Sequence, residues 1–330
     1  MPEALILGGT GQIGRAVADW LTPLGWRVRL ASRSAPPPDL AAAHTRIPTD
    51  DPPALSCAAR GVDLLLDCAC FDAGDADRLL PVSADVGRIV AISSVSVYCD
   101  VAGRTLDEAH LKGFPRFDGP VGEDTATISP GPETYSTRKM AMETRLREAA
   151  RCPVTILRPA AIHGPFSRHA REWWFVKRLL DGRAVIPLCH GGASRFHTTS
   201  TEAIARAVVL AAAPATAAVV NVVDGDAPEV AEIGRIAMQV LGLSAEILPL
   251  PGPPVGTVGK TPWSGERPLV YASTLPPMPR YAETAPAAIR WLAQAVPPED
   301  WQRHIPILAA YPRDHFDYAA EDRVLSEMRR

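Results

Sequence analysis

The sequence predicts an α/β chain in which a doubly wound parallel sheet is accompanied by a smaller C-terminal lobe, and three observations carry that expectation. Short buried-strand patterns alternate with helical spacing through the first half. A glycine-rich segment, Gly8-Gly9-Thr10-Gly11-Gln12-Ile13-Gly14, falls between the first strand pattern and the first helical one. The length, 330 residues, suffices to bury a full core and is near the size at which one domain gives way to two lobes.

Taken in order, Ala4-Leu5-Ile6-Leu7 reads as a buried strand and Arg15 to Leu24 has the apolar spacing of a helix. Further strands are expected near residues 27 to 31, 62 to 67, 88 to 93 and 153 to 158, with helical stretches between them. After an excursion over residues 165 to 192, Ala203 to Ala213 is helical and Val219 to Val223 is a strand returning to the sheet. Beyond residue 227 come a helix (Glu229 to Leu241), a strand (Glu246 to Leu250), a Pro/Gly-rich stretch (Pro251 to Pro286) and helices over 287 to 295 and 299 to 310. The expected partition is 1–164 with about 193–226 in the sheet domain, and about 165–192 with 227–330 in the second lobe. The 33 prolines cluster in loops such as Pro36-Pro37-Pro38 and read as stiff connectors.

Composition excludes several classes. Hydrophobic residues at 47% and charged residues at 22% are globular values, and a net charge of -3 argues against nucleic acid or a membrane surface as partner. About 20 apolar residues in a row would be needed to span a bilayer, and no such run occurs. Met1 leads almost directly into the glycine turn, leaving no room for a signal peptide, so a cytoplasmic protein is expected. Cys57, Cys68, Cys70, Cys99, Cys152 and Cys189 have neither paired CxxC spacing nor neighbouring histidines, so no metal site or disulfide framework is expected and they read as small packing residues.

The chemistry-bearing segments are three. In the glycine turn, Gly8 permits a tight bend, Gly11 lets the backbone approach a pyrophosphate, Gly14 lets the helix pack close to the strand, and the helix N-terminus offers N–H groups to the anion. In Tyr135-Ser136-Thr137-Arg138-Lys139 the phenol and the ammonium are four apart and share a helix face, where the ammonium favours phenolate. The strand Arg88-Ile89-Val90-Ala91-Ile92-Ser93-Ser94-Val95-Ser96-Val97-Tyr98 ends in hydroxyls, at the place where open α/β sheets bind ligands.

On these segments the chain resembles the extended short-chain dehydrogenase/reductase family, the NAD(P)-dependent epimerase/dehydratase-like enzymes built on a Rossmann sheet. The resemblance implies a catalytic serine at Ser94, an acid/base at Tyr135 and its partner at Lys139, which also holds the nicotinamide ribose. It places Gly8, Thr10, Gly11, Gln12, Ile13, Gly14, Ser32, Arg33, Cys68, Ala69, Ser93 and Pro159 at the cofactor, and Ser96 and Arg195 at the substrate. It makes the second lobe the substrate lobe and is compatible with a homodimer through a helix pair that includes the Tyr135 helix.

At the end of the second strand an acid would bond the adenosine ribose diol, whereas a cation accommodates a 2′-phosphate. Ser32 and Arg33 stand there, so NADP(H) is expected over NAD(H), with Arg15 able to assist. The acid that meets the adenine in relatives aligns with Pro48, and Asp50 is a substitute for it.

Among reactions, dehydration is disfavoured because Ser94 is followed by Val95 and Ser96 rather than an acidic pair. An epimerase's diphosphate-gripping asparagine aligns with Ala161, while its arginine matches Arg195. The leading expectation is an NADPH-dependent reductase of a carbonyl, or dehydrogenase of a secondary alcohol. A nucleotide-sugar epimerase and a non-catalytic NADP(H) sensor remain as alternatives.

Residues 101 to 120 lengthen the Ser94 to Tyr135 interval beyond what the family needs, and read equally as a loop over the site or a surface insertion. Trp173, Trp174 and Phe175 read as core rather than pocket, and His163 as a satisfied buried histidine.

Overall fold

The computed structural model describes residues 1–33, 35–38, 40, 44–48, 51–213 and 218–328, so that Asp50 lies outside the described residues. They form two compact units, Met1–Ala160 with Thr201–Val223 and Tyr271–Met278, and Ala161–Ser200 with Asp224–Val270 and Pro279–Arg330.

In chain order the first unit contributes β1 (Glu3–Leu7), α1 (Gln12–Leu21), β2 (Arg27–Ser32), β3 (His44–Arg46), α2 (Pro52–Ala59), β4 (Leu64–Asp67), α3 (Ala73–Leu79), β5 (Ile89–Ile92), α4 (Ala109–Lys112), α5 (Tyr135–Ala149) and β6 (Val154–Pro159). The second then supplies β7 (Ala161–His163), α6 (Trp173–Leu180), β8 (Val185–Leu188) and β9 (Thr198–Ser200). The chain returns to the first for α7 (Thr201–Ala211) and β10 (Val219–Val222). It completes the second with α8 (Val230–Leu241), β11 (Glu246–Pro249), α9 (Tyr281–Ala295), α10 (Trp301–His304), α11 (Pro306–Ala309) and α12 (Tyr318–Met328).

The first unit is a seven-stranded sheet in the order β10-β6-β5-β4-β1-β2-β3, with every pairing parallel. Strands β4 and β5 are buried at every residue, as expected where helices cover both faces of a parallel sheet. Helix α1 turns Gly14, Val17 and Leu21 inward at helical spacing. On one face Leu5, Leu65, Ile89 and Ile156 form a core with Met142 and Leu146 of α5. Winding goes from β1 outward to β2 and β3 and then back to β4, so the direction reverses between β1 and β4. At such a reversal the two loops leave their strands in opposite directions and open a crevice at the carboxyl ends.

The second unit holds two small parallel sheets, β7 with β9 and β11 with β8, around a core in which Trp173, Trp174, Phe175 and Leu179 of α6 meet Val230 and Ile233 of α8 and Ile289 and Leu292 of α9.

Several boundaries differ from expectation. Residues 161–164 and 193–200 lie in the second unit because Ala161 and His163 pair with Thr198 and Ser200, and Asp224 follows them by accepting from Thr198 and Ser200. Residues 271–278 belong to the first unit, where the Ala272 N–H donates to the Val121 carbonyl at 2.9 Å. Strand β3 was not anticipated, being only three residues long at the sheet edge. Helix α9 starts inside the Pro/Gly-rich stretch and carries Pro286 within it. The expected helix over 299 to 310 is two short ones, and α12 was missed.

Candidate active site

The glycine turn sits at the β1 side of the switch point. Gly8 adopts φ +72°, a left-handed conformation that favours glycine, and its carbonyl accepts from the Gly11 N–H at 3.0 Å. A Cβ on Gly14 would come within 2.5 Å of the Gly9 Cα, so the helix reaches the turn only without one. Gly11 is the N-cap of α1 and brings no side-chain cap, while the buried Gln12 Nε2 has no hydrogen-bond partner among the described residues. An uncapped helix N-terminus beside an unpaired buried donor suits an anion, and the turn therefore fits the pyrophosphate of a dinucleotide. Thr10 and Ile13 are half-buried in the same turn. The facing strand end packs on it, since a Cβ on Gly8 would meet the Cβ atoms of Cys68 and Ala69 at 3.3 and 3.4 Å.

At the neighbouring strand end, Ser32 closes β2 and its Oγ lies 2.7 Å from His44 Nε2. Arg33 is exposed, and its carbonyl accepts from Arg46 Nε at 3.2 Å.

The three catalytic candidates are carried by β5 and α5. Ser94 heads a short 3₁₀ turn (Val95–Val97), where its Oγ accepts from the Ser96 N–H at 3.1 Å. Tyr135 is the first residue of α5, entered through Thr134 and Thr137, which cap each other's backbone N–H groups. The Ser136 hydroxyl donates to the Ser96 carbonyl at 2.6 Å and so ties that first turn to the Ser94 segment. One turn on, Lys139 is 3% exposed, and its Nζ donates to the carbonyls of Cys70 at 2.6 Å and Ile92 at 2.9 Å. An ammonium has three donors, so one remains beyond these two bonds. The Lys139 Nζ stands 4.5 Å from the Phe71 ring centre and 5.9 Å from that of Tyr135. Burial pulls the Lys139 pKa below the usual lysine range, against the pull of Asp67 and Glu143 in the other direction. The Ser96 Oγ is buried with no hydrogen-bond partner among the described residues.

Behind these groups runs a buried polar chain that sequence reasoning did not find. Ser93 Oγ donates to Glu143 Oε1 at 2.5 Å, and Arg158 grips both oxygens of that carboxylate, through Nε at 3.0 Å and Nη2 at 2.5 Å. The Arg158 guanidinium stacks 4.9 Å from the Tyr98 ring, whose hydroxyl donates to Asn221 Oδ1 at 2.8 Å. Pro159 follows as the last, buried residue of β6. Glu143 is one turn beyond Lys139, which was the available signal. Asp67 was also missed: it ends β4, accepts from the Ala69 N–H at 2.7 Å, and burial pushes its carboxyl up to about 6. Burial likewise raises the Cys68 and Cys70 thiols, so neither is a thiolate at neutral pH.

Residues 101 to 120 are anchored at both ends. Asp100 accepts from the N–H groups of Ala102, Arg104 and Arg116 and pairs with the Arg104 guanidinium; these bonds outweigh burial and hold its carboxyl at about 2. Asp107 accepts from Thr105 Oγ1 at 2.6 Å and from the Ser136 N–H of α5 at 2.9 Å.

The first unit thus holds every cofactor and catalytic candidate. Arg195 lies in the second, exposed, with its Nε donating to the Ala227 carbonyl at 3.0 Å. There Trp173, Trp174 and Phe175 are core residues at most 1% exposed. His163 is buried against Asp224, its Nε2 2.8 Å from Oδ2, and Nδ1 has no partner among the described residues. Among the described residues no cluster of His, Cys, Asp or Glu is arranged to hold a metal ion, and no helix is long and apolar enough to cross a membrane.

Solved structures share this architecture. A UDP-N-acetylglucosamine 4-epimerase from Methanobrevibacter ruminantium superimposes with a TM-score of 0.66 at 17% identity, covering 89% of this chain and 99% of its own. A dTDP-glucose 4,6-dehydratase from Bacillus anthracis, in complex with NAD, gives 0.66 at 14% identity over 92% and 100%. A UDP-glucose 4-epimerase from Thermotoga maritima gives 0.65 at 18% identity over 88% and 99%. The chain therefore has the fold of these epimerase and dehydratase structures. Among curated proteins it is 32% identical over 151 residues to a 2′-dehydrokanamycin reductase from Streptomyces kanamyceticus, a match spanning 44% of this chain and 38% of that protein. No family model matches the chain.

Proposed function

We propose that the protein is an NADP(H)-dependent oxidoreductase that reduces a carbonyl, or oxidises the matching secondary alcohol. The observation that carries this reading is the placement of Lys139, buried on the same helix face as Tyr135 and held by the carbonyls of Cys70, in the loop after β4, and Ile92, the last residue of β5. Bound nicotinamide supplies the hydride. Ser94 hydrogen-bonds the substrate oxygen and Tyr135 passes a proton to it in the reducing direction. Lys139 keeps a positive charge beside the phenol and offers its remaining N–H to the ribose. Ser96, with its buried unpaired hydroxyl, is a second polar contact for substrate. The coenzyme preference rests on Ser32 and Arg33, where an acid would favour NAD(H). Reduction is favoured over epimerisation by the reductase named among the relatives and by that coenzyme preference.

The test is to purify the protein without added nucleotide, denature it and identify what is released. An empty protein that binds NADPH more tightly than NADH supports a reductase that exchanges coenzyme each turnover. Tightly retained oxidised NAD(P) would instead point to an epimerase, which must keep its coenzyme through an internal redox cycle.

A further inference from the structure

We infer that Arg46 is a second cation for the coenzyme's 2′-phosphate, forming with Arg33 a two-guanidinium clamp at the end of β2. The inference rests on the NADP(H) reading and adds to it a residue on a different strand. Strand β3 is the sheet edge beside β2, and the register pairs Ser32 with Arg46, so the two side chains rise on the same face. His44, two residues earlier on β3, shares that face and reaches the Ser32 hydroxyl, which confirms the alternation. An edge-strand arginine is ordinarily a solvated cation that discourages pairing with other chains. Arg46 departs from that role because its Nε donates to the carbonyl of Arg33, the first residue after β2. The bond draws the guanidinium to the strand end at which an adenosine ribose lies in sheets of this kind.

The chemistry matches a phosphate monoester. A guanidinium carries five N–H donors and one is committed here, so the terminal nitrogens keep four for anionic oxygens. Such a phosphate bears a charge of roughly -1.5 to -2 near neutral pH, which one guanidinium neutralises only in part. Arg33 reaches it from the loop and Arg46 from the strand. The strand-borne group is the better located of the two, since its backbone is fixed by pairing to β2 and its Nε by the Arg33 carbonyl. Burial holds the His44 pKa below its ordinary value, so that ring is neutral at pH 7 and positions the Ser32 hydroxyl without adding charge.

The experiment is calorimetric titration of the full-length protein with NADPH, NADH and 2′,5′-ADP, for wild type, Arg46→Ala, Arg46→Lys and Arg33→Ala. For Arg46→Ala we expect NADPH and 2′,5′-ADP to bind about tenfold more weakly and NADH within twofold of wild type, as for loss of a charge-assisted contact to one ligand group. Arg46→Lys should recover part of the loss, and added salt should weaken NADPH binding more steeply than NADH binding. If wild type prefers NADPH yet Arg46→Ala weakens both coenzymes equally, or neither, Arg46 is an edge-strand cation and the inference is overturned while the coenzyme reading stands. If wild type itself prefers NADH, the coenzyme reading falls and the clamp with it. Because Arg46 is exposed, an unchanged thermal midpoint separates these outcomes from misfolding.

Discussion

Two buried cations, Lys139 in the first unit and Arg178 in the second, use their donors in opposite ways. In the first, Lys139 on α5 bonds the carbonyls of Cys70 and Ile92 and keeps one N–H open. In the second, charge is used for cohesion. Arg178 is 2% exposed, spends its donors on Glu321, Trp174 and His315, and lies 3.5 Å from the Trp174 ring centre. A buried charge with spare donors suggests a site, and one whose donors are consumed suggests a fastening.

The sharpest way to break this contrast is Tyr135→Phe, which should lower kcat by about 10³-fold, within the range for lost acid/base catalysis, while NADPH affinity changes less than twofold. Persistent turnover on an identified substrate would remove Tyr135 from the chemistry. In the second unit, Glu321→Ala leaves Arg178 buried without its partner and should cost about 3–5 kcal/mol in a denaturant titration. Replacing the pair together, Arg178→Met with Glu321→Leu, should recover most of it. If the single variant is as stable as wild type, the ion pair is no fastening.

Asp67 gives a smaller, pH-dependent effect. Its folded pKa of about 6 lies above the ordinary 3.8, so the folded state holds the proton more tightly. That contribution is present in full below about pH 4 and is lost as pH rises through 6. Asp67→Asn should therefore stabilise the protein at pH 8, by up to about 3 kcal/mol, and change little at pH 4. Equal thermal midpoints at pH 8 would contradict it. The smallest expected effect is at Asp107, whose carboxylate caps an N–H beside Tyr135. Asp107→Ala should cost about 1 kcal/mol and lower kcat several-fold with KM unchanged, and Asp107→Asn, which keeps an acceptor oxygen, should restore most of kcat.

What could be read in the sequence was what is local. Gly8 to Gly14 and Tyr135 to Lys139 are each complete within seven residues, and the hydroxyl-ended strand is one continuous segment, so spacing alone exposes them. The alternation of strands and helices placed the sheet for the same reason. Glu143 with Arg158 joins a helix to a strand, Asp107 reaches Ser136 across 29 residues, and Arg178 reaches Glu321 across 143. No periodicity announces such pairs, because partner choice is decided by packing. Strand β3 escaped because three residues cannot show alternation, and the start of α9 because Pro286 reads as a breaker although the helix holds it near its N-terminus.

The passage of the chain between the units, after residues 160, 200, 223, 270 and 278, bears on how the protein can be made. Strand β10, one of the two edge strands of the seven, is supplied by residues 219–222, after a long segment of the other unit has been synthesised. Until then β6 has an open edge, and a nascent chain that pauses there offers unpaired N–H and C=O groups to any neighbouring strand. A fragment cut at residue 160 would keep that edge permanently, whereas at the β10 edge of the whole sheet the Asn221 N–H donates to Glu123 and its carbonyl accepts from Ser273, so separately expressed halves should aggregate more than the intact chain.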